Sequence, residues 1–282
     1  MRNGLPAVSF LFMNKIVQIL RLLPKDAENV KGELPIITNV LLHTDRNIMH
    51  KILFVVTSCG HFEKVDRATG VWLEEYAVPF MLWREAGFIM TVATPEGGQA
   101  PVDPISMPDR GYCTNRFTNM LDQYQTELDE AQAKLQQTEK LSDMSVDDFD
   151  AIYYPGGHGC LWDVTVDKTS LDLLHAFIEK GKMIMAICHG SGVLAQIQTP
   201  NGPWVKGQAV TGFSNEEEKL VGLENDVPYS VENILIEAGA DYSCKEPGVS
   251  YVIEDEQLIT GQNAVSAYGL ASVAMKKMLK QL

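Results

Sequence analysis

Residues 183–196 read MIMAICHGSGVLAQ. The apolar run MIMAI reads as a strand, GSGVLAQ as a helix start, and Cys188 with His189 falls at the turn between them. Gly190 and Gly192 permit the tight backbone that a strand–nucleophile–helix elbow requires. A helix N-terminus carries partial positive charge and unpaired N–H groups, so the Cys188 thiol is expected to ionise readily. The competing reading is an inert buried cysteine, a common fate of free thiols. A strand end, a histidine neighbour and small flanking residues together favour the nucleophile.

Working outward, the same alternation recurs. Strands are predicted at 50–58 (HKILFVVTS), 88–94 (FIMTVAT), within DFDAIYYPGGHG (148–159), at 208–212 (QAVTG), and as a pair at SYVIED and QLITG. Helices are predicted over 70–86, with Pro79 kinking or splitting it, and over 170–182, 227–239 and 264–282. Residues 120–141 carry Leu121, Tyr124, Leu128 and Leu135 as a narrow stripe, which predicts one surface helix in an insertion. Strands alternating with helices imply an α/β fold: a mainly parallel sheet with helices on both faces. Ligands in such sheets bind beyond the carboxyl ends of the strands, so the post-strand loops are where chemistry is expected. Neither a G-x-x-x-x-G-K-[ST] loop nor a G-x-G-x-x-G fingerprint is present.

The chain has 282 residues, 45% hydrophobic, and a formal charge of −14. That balance argues against a nucleic-acid partner and against an anionic membrane surface. Five scattered cysteines without a C-x-x-C pair point to free thiols and a cytoplasmic setting. The apolar N-terminal stretch is broken by Asn14, Lys15, Gln18 and Arg21, too polar for a spanning helix. Ile16, Ile19, Leu20 and Leu23 recur instead at the spacing of a short amphipathic helix. Residues 1–48 read as an arm, and the organised domain begins at Met49.

A histidine that serves a thiol must be oriented through its other nitrogen. Glu216, Glu217 and Glu218 follow the 208–212 strand and are candidates, against the plainer role of charges on a first helical turn. The loop YYPGGHGCLWD (153–163) either cradles an oxyanion on backbone N–H groups or simply turns the chain. His158 in that loop is a weak metal candidate, as is the pair His61 and Glu63, and no metal is expected. No histidine follows His189, which excludes a glutaminase whose base lies downstream of its cysteine, unless that base comes from another chain.

Together AICHG, PGGHG, TGVWLEE, VTGFSNEEE and LITGQNAVSA resemble the ThiJ/PfpI superfamily over residues 50–282. Within it they are most similar to the heat-shock chaperone branch that acts as glutathione-independent glyoxalase (glyoxalase III). The resemblance implies a three-layer, flavodoxin-like sandwich related to class I glutamine amidotransferases, with a small cap insertion at about 100–145. It implies Cys188 as nucleophile, His189 as base, Glu75 as the acid on the thiol and Glu218 as the carboxylate orienting His189. Gly157 and the His189 N–H match the oxyanion donors, with Gly156 and His158 beside them against the substrate.

The implied activity converts a small dicarbonyl, methylglyoxal, to lactate without cofactor, metal or glutathione. A homodimer is implied by the family's habit of pairing. A holding chaperone for unfolded clients, a redox sensor built on Cys188, and a peptidase or deglycase are the rival readings.

Overall fold

The apolar runs of strand length, that at 208–212 excepted, take their places in one seven-stranded sheet. The computed structural model describes residues 49–280. The strands are β1 (Lys51–Val55), β2 (Ile89–Thr94), β3 (Glu139–Lys140), β4 (Ala151–Tyr154) and β5 (Met183–Ile187). Short strands β6 (Gln198–Thr199) and β7 (Gly202–Pro203) pair with each other, as do β8 (Ala209–Val210) and β9 (Asp241–Tyr242). Then β10 (Val252–Asp255) and β11 (Leu258–Gly261) rejoin the main sheet. Its order is β10-β11-β5-β4-β1-β2-β3, and only the β10–β11 pair is antiparallel. From β1 the chain runs outward through β2 and β3, then returns to the other flank of β1 with β4. The crevice between β1 and β4 is therefore where a ligand belongs.

The central strands β4 and β5 are buried at every residue, as a parallel sheet covered on both faces demands. Alternate residues sort the two faces. Leu53, Val55, Ile152, Tyr154, Ile184 and Ala186 join Leu173, Leu174 and Phe177 of helix α4 (Lys168–Glu179) in one core cluster. On the other face Phe54 sets its ring edge against Tyr76, Phe80 and Trp83 of helix α1 (Leu73–Glu85) and against Tyr153. Trp83 also donates through its indole N–H to the Ala271 carbonyl of the C-terminal helix at 3.0 Å.

Pro79 does not divide α1, which runs unbroken through it. It offers no N–H to the Glu75 carbonyl one turn back. That carbonyl instead accepts from the Tyr153 hydroxyl at 2.6 Å.

The single helix expected at 120–141 is two. Helix α2 (Asn115–Leu121) is capped by Thr114 on the Phe117 N–H, and α3 (Gln125–Gln136) restarts after a turn at 122–124. It is not merely a surface feature. Leu128, Ala131 and Leu135 are buried, Tyr76 donates to the Ala131 carbonyl at 2.8 Å, and the chain then enters the sheet as β3. Helix α5 (Asn215–Leu220), α6 (Val231–Glu237) and α7 (Ala267–Lys280) complete the helices, with α1 to α4, among the described residues.

Residues 50–274 form one compact unit. The amphipathic helix expected around Ile16–Leu23 and the arm to residue 48 lie outside the described residues. Among those described, no helix is long and apolar enough to cross a membrane. All five cysteines are free thiols.

Candidate active site

Strand β5 delivers Cys188 to the carboxyl edge of the sheet, where its φ of 57° places a non-glycine residue in the left-handed region. Such a conformation costs on the order of 1–3 kcal/mol and survives only where the surroundings impose it. Gly190 is part of that imposition. A Cβ there would lie 2.5 Å from the Tyr154 carbonyl oxygen, so no larger residue lets the elbow pass β4. After the elbow the chain turns as a 3₁₀ helix (Cys188–Gln196), tighter than the α-helix expected.

Glu75, from the first turn of α1, is fully buried and hydrogen-bonded to the Cys188 thiol. Its Oε2 accepts from the Gly156 N–H at 2.9 Å. Burial pushes the Glu75 carboxyl up to about 8, outweighing those two hydrogen bonds, so at neutral pH it carries a proton. Burial, reinforced by Glu75, also raises the Cys188 thiol well above its ordinary range. The sequence expectation of a readily ionised thiol at a helix start is thus corrected. Desolvation in a buried elbow overrides the dipole of a short 3₁₀ turn. The backbone N–H of His189 does point toward the sulfur and favours the thiolate, but as the smaller effect.

His189 places Nδ1 3.4 Å from Cys188 Sγ and Nε2 2.8 Å from Glu218 Oε2. Of the run Glu216–Glu218, Glu218 is the one that reaches the imidazole. Glu217 caps its own helix, accepting from Ser214, and holds the side-chain amides of Gln262 and Asn263. Glu216 is exposed. Glu218 is shared: its Oε1 lies 2.8 Å from His158 Nε2. Burial works against its ionisation, yet the two histidines outweigh it and hold the carboxyl well below the usual range. Burial and the neighbouring His189 push His158 down to about 4, so it is neutral. The His189 ring packs between His158 (4.0 Å) and Phe213 (4.3 Å), which leaves it little freedom to turn.

The loop after β4 differs in detail from the oxyanion reading. The Gly156 N–H is spent on Glu75 and cannot serve an oxyanion. His158 has its Nε2 committed to Glu218. Gly157 and His158 still line the cavity over Cys188, which has a volume of about 460 Å³. His158, His189 and Glu218 offer ligand atoms within 4.8 Å of one another, a set a divalent cation accepts. Ligation through His189 Nε2 would leave its proton on Nδ1, so metal binding and base action on the sulfur exclude each other.

Tyr153, Phe213 and Arg67 also belong to the site, although no motif in the sequence marks them. Pro79 four residues after Glu75 was a signal for the first, since it leaves a carbonyl in need of a donor. Phe213 and Arg67 carry no such signal. They reach the site only through folding of the loops after β8 and β1.

A model of the DJ-1/PfpI family matches residues 67–277, which span Glu75, the Cys188 elbow and Glu218. The chain belongs to the DJ-1/PfpI family. Among its DJ-1/PfpI relatives, Glyoxalase 3 of Candida albicans is 26% identical over 227 residues, covering 78% of this chain and 94% of that protein. A glutathione-independent glyoxalase of Saccharomyces cerevisiae is 25% identical over 229 residues, with 78% and 94% covered. Among solved structures, the Rapid Encystment Protein 24 KDa of Francisella tularensis superposes with a TM-score of 0.73 at 33% identity, over 82% of this chain and 99% of that one. Glyoxalase III from Candida albicans gives 0.69 at 26% identity, over 81% and 97%.

Proposed function

We propose that this DJ-1/PfpI protein is a glutathione-independent glyoxalase that isomerises and hydrates methylglyoxal to lactate, with Cys188 as nucleophile. One observation carries the reading. A single thiol faces a protonated carboxyl (Glu75) on one side and an imidazole Nδ1 on the other, the imidazole being fixed by an ionised carboxylate.

The chemistry follows from those positions. Cys188 sulfur adds to the aldehyde carbon as its proton passes to His189 Nδ1, and Glu75 protonates the former carbonyl oxygen to give a hemithioacetal. Transfer of the His189 proton to the Glu75 carboxylate resets both groups, and neutral His189 then removes the hydrogen on the sulfur-bearing carbon as a proton. An enediol forms, with Glu75 exchanging protons at the two oxygens. The proton is then delivered to the neighbouring carbon. One carbon is oxidised to a thioester and the other reduced to an alcohol, so no external oxidant is used. Water hydrolyses the thioester, releasing lactate and restoring the thiol. Neither metal, nicotinamide nor glutathione is required, because the protein thiol is the covalent handle.

Lactate formation from methylglyoxal without glutathione, compared for wild type and Cys188→Ala, tests this. Activity lost in the variant supports it; no lactate from wild type refutes it. A second reading, a holding chaperone for unfolded clients, draws on the exposed apolar rim of the cavity. Tyr112 is 67% and Leu220 71% exposed there. Suppression of client aggregation that survives Cys188→Ala but falls in Leu220→Ser would support it. We also propose a cytoplasmic homodimer; light scattering in solution should give a molar mass twice the 31.3 kDa of the chain, and a value equal to it would refute the dimer.

A further inference from the structure

The cavity over Cys188 is large for a three-carbon dicarbonyl, and one charged group on its wall has no part in the chemistry above. Arg67 lies in a hairpin that follows β1. Phe62 N–H donates to the Arg67 carbonyl at 3.0 Å, Arg67 N–H to Val65 at 2.8 Å, and His61 bridges Ala68. The backbone beneath the side chain is thereby fixed. The guanidinium lies over the Phe62 ring at 5.3 Å, and Phe62 packs in turn against His158.

Among the described residues Arg67 makes no ion pair, and its Nε is buried without a hydrogen-bond partner. Asp103 feels its charge, yet gives its carboxylate to Thr69 and Ile105. An unpaired guanidinium nitrogen out of water is costly. The remaining wall supplies no counter-charge, being formed largely by Trp72, Ile105, Tyr112, Phe213 and Val265. Glu75, protonated at neutral pH, does not repel an anion from this space. A guanidinium presents its donors as a planar fork matched to a carboxylate.

We propose that the cavity selects 2-oxoaldehydes bearing a carboxylate on an apolar spacer, the aldehyde seated at Cys188 and the carboxylate on Arg67. This rests on the glyoxalase reading of Cys188. It assigns Arg67 to specificity, and methylglyoxal becomes a minimal substrate that leaves this subsite unused.

The test compares 4-carboxyphenylglyoxal with its neutral isostere 4-methylphenylglyoxal, for wild type, Arg67→Met and Arg67→Lys. Wild type is expected to favour the carboxylate by roughly tenfold or more in kcat/KM, chiefly through KM, as a charge-assisted hydrogen bond supplies. The ratio should fall toward one in Arg67→Met and recover partly in Arg67→Lys. A second readout needs no turnover: the relative rates at which 4-carboxyphenacyl bromide and phenacyl bromide alkylate Cys188, the sulfur displacing bromide. The same preference and the same loss are expected. Equal rates in wild type, or a preference that Arg67→Met retains, would overturn the assignment. If wild type turns over no 2-oxoaldehyde, methylglyoxal included, the glyoxalase reading fails, and the alkylation ratio alone decides for or against Arg67.

Discussion

The hydroxyl of Tyr153 occupies, at 2.6 Å from the Glu75 carbonyl oxygen, the place that the missing N–H of Pro79 leaves in helix α1. A strand residue thus completes the helix that carries the proposed acid. Tyr153→Phe should strand a buried carbonyl and cost about 1–3 kcal/mol. Pro79→Ala restores an N–H one turn along, so in the Tyr153→Phe background it should be less harmful than in wild type. Urea unfolding of the four proteins measures the coupling, and strictly additive effects would contradict this account.

Three adjacent glutamates should separate by phenotype. Glu216→Gln, on an exposed side chain, should change neither stability nor turnover. Glu217→Gln sets an amide against the amides of Gln262 and Asn263, and should lower stability by about 1–3 kcal/mol. Glu218→Gln should leave the fold standing and reduce kcat by roughly 10²–10⁴, because the base loses its orienting carboxylate. A Glu218→Gln enzyme with wild-type kcat would remove Glu218 from the mechanism.

Protonation of Glu75 links pH to folding. Below its ordinary value of 4.5 the carboxyl is protonated whether the chain is folded or not, and its contribution to stability is complete. As pH rises toward about 8 the unfolded chain releases the proton while the folded one keeps it, so stability is progressively lost. Unfolding midpoints at pH 5, 6.5 and 8 should therefore fall more steeply for wild type than for Glu75→Gln. Parallel slopes would mean that the carboxyl is not held protonated. In turnover, Glu75→Gln should lose roughly 10²–10⁴ in kcat, being without the group that protonates the carbonyl oxygen.

Gly156 is packed directly against Glu75 and the elbow. A Cβ there would stand 2.6 Å from Glu75 Oε2, 2.8 Å from Cys188 Cβ and 2.9 Å from the His189 nitrogen. Gly156→Ala should cost about 1–3 kcal/mol in forced displacement and abolish detectable lactate formation. An active, stable Gly156→Ala protein would show that the elbow yields more readily than its contacts suggest.

The sheet was legible because runs such as MIMAI and AIYY admit no other burial than a covered parallel strand. Residues 120–141 read as one helix because Asp122 and Gln123 do not forbid one; the break at 122–124 goes with the docking of α3 on α1, where Tyr76 donates to the Ala131 carbonyl, a contact that sequence spacing does not report. At the site, the motifs single out residues that the fold brings together, but not their protonation. Acidity follows from desolvation, and desolvation depends on how Glu75 and Cys188 are enclosed by segments far apart in the chain. Arg67 is silent in the sequence for the same reason: nothing local marks an arginine whose neighbours in space leave its Nε buried without a partner.

The crowding around Gly156 has an evolutionary corollary. The segment of Glu75 and the elbow of Cys188 and His189 meet the loop of Gly156 at one α-carbon, so a change in any of the three must be matched by simultaneous changes in the other two. Descendants of this chain are free to diversify only where single substitutions are tolerated, in the hairpin of Arg67 and the loops bearing Tyr112 and Val265. New substrates would then arise without any alteration of the bond-making step.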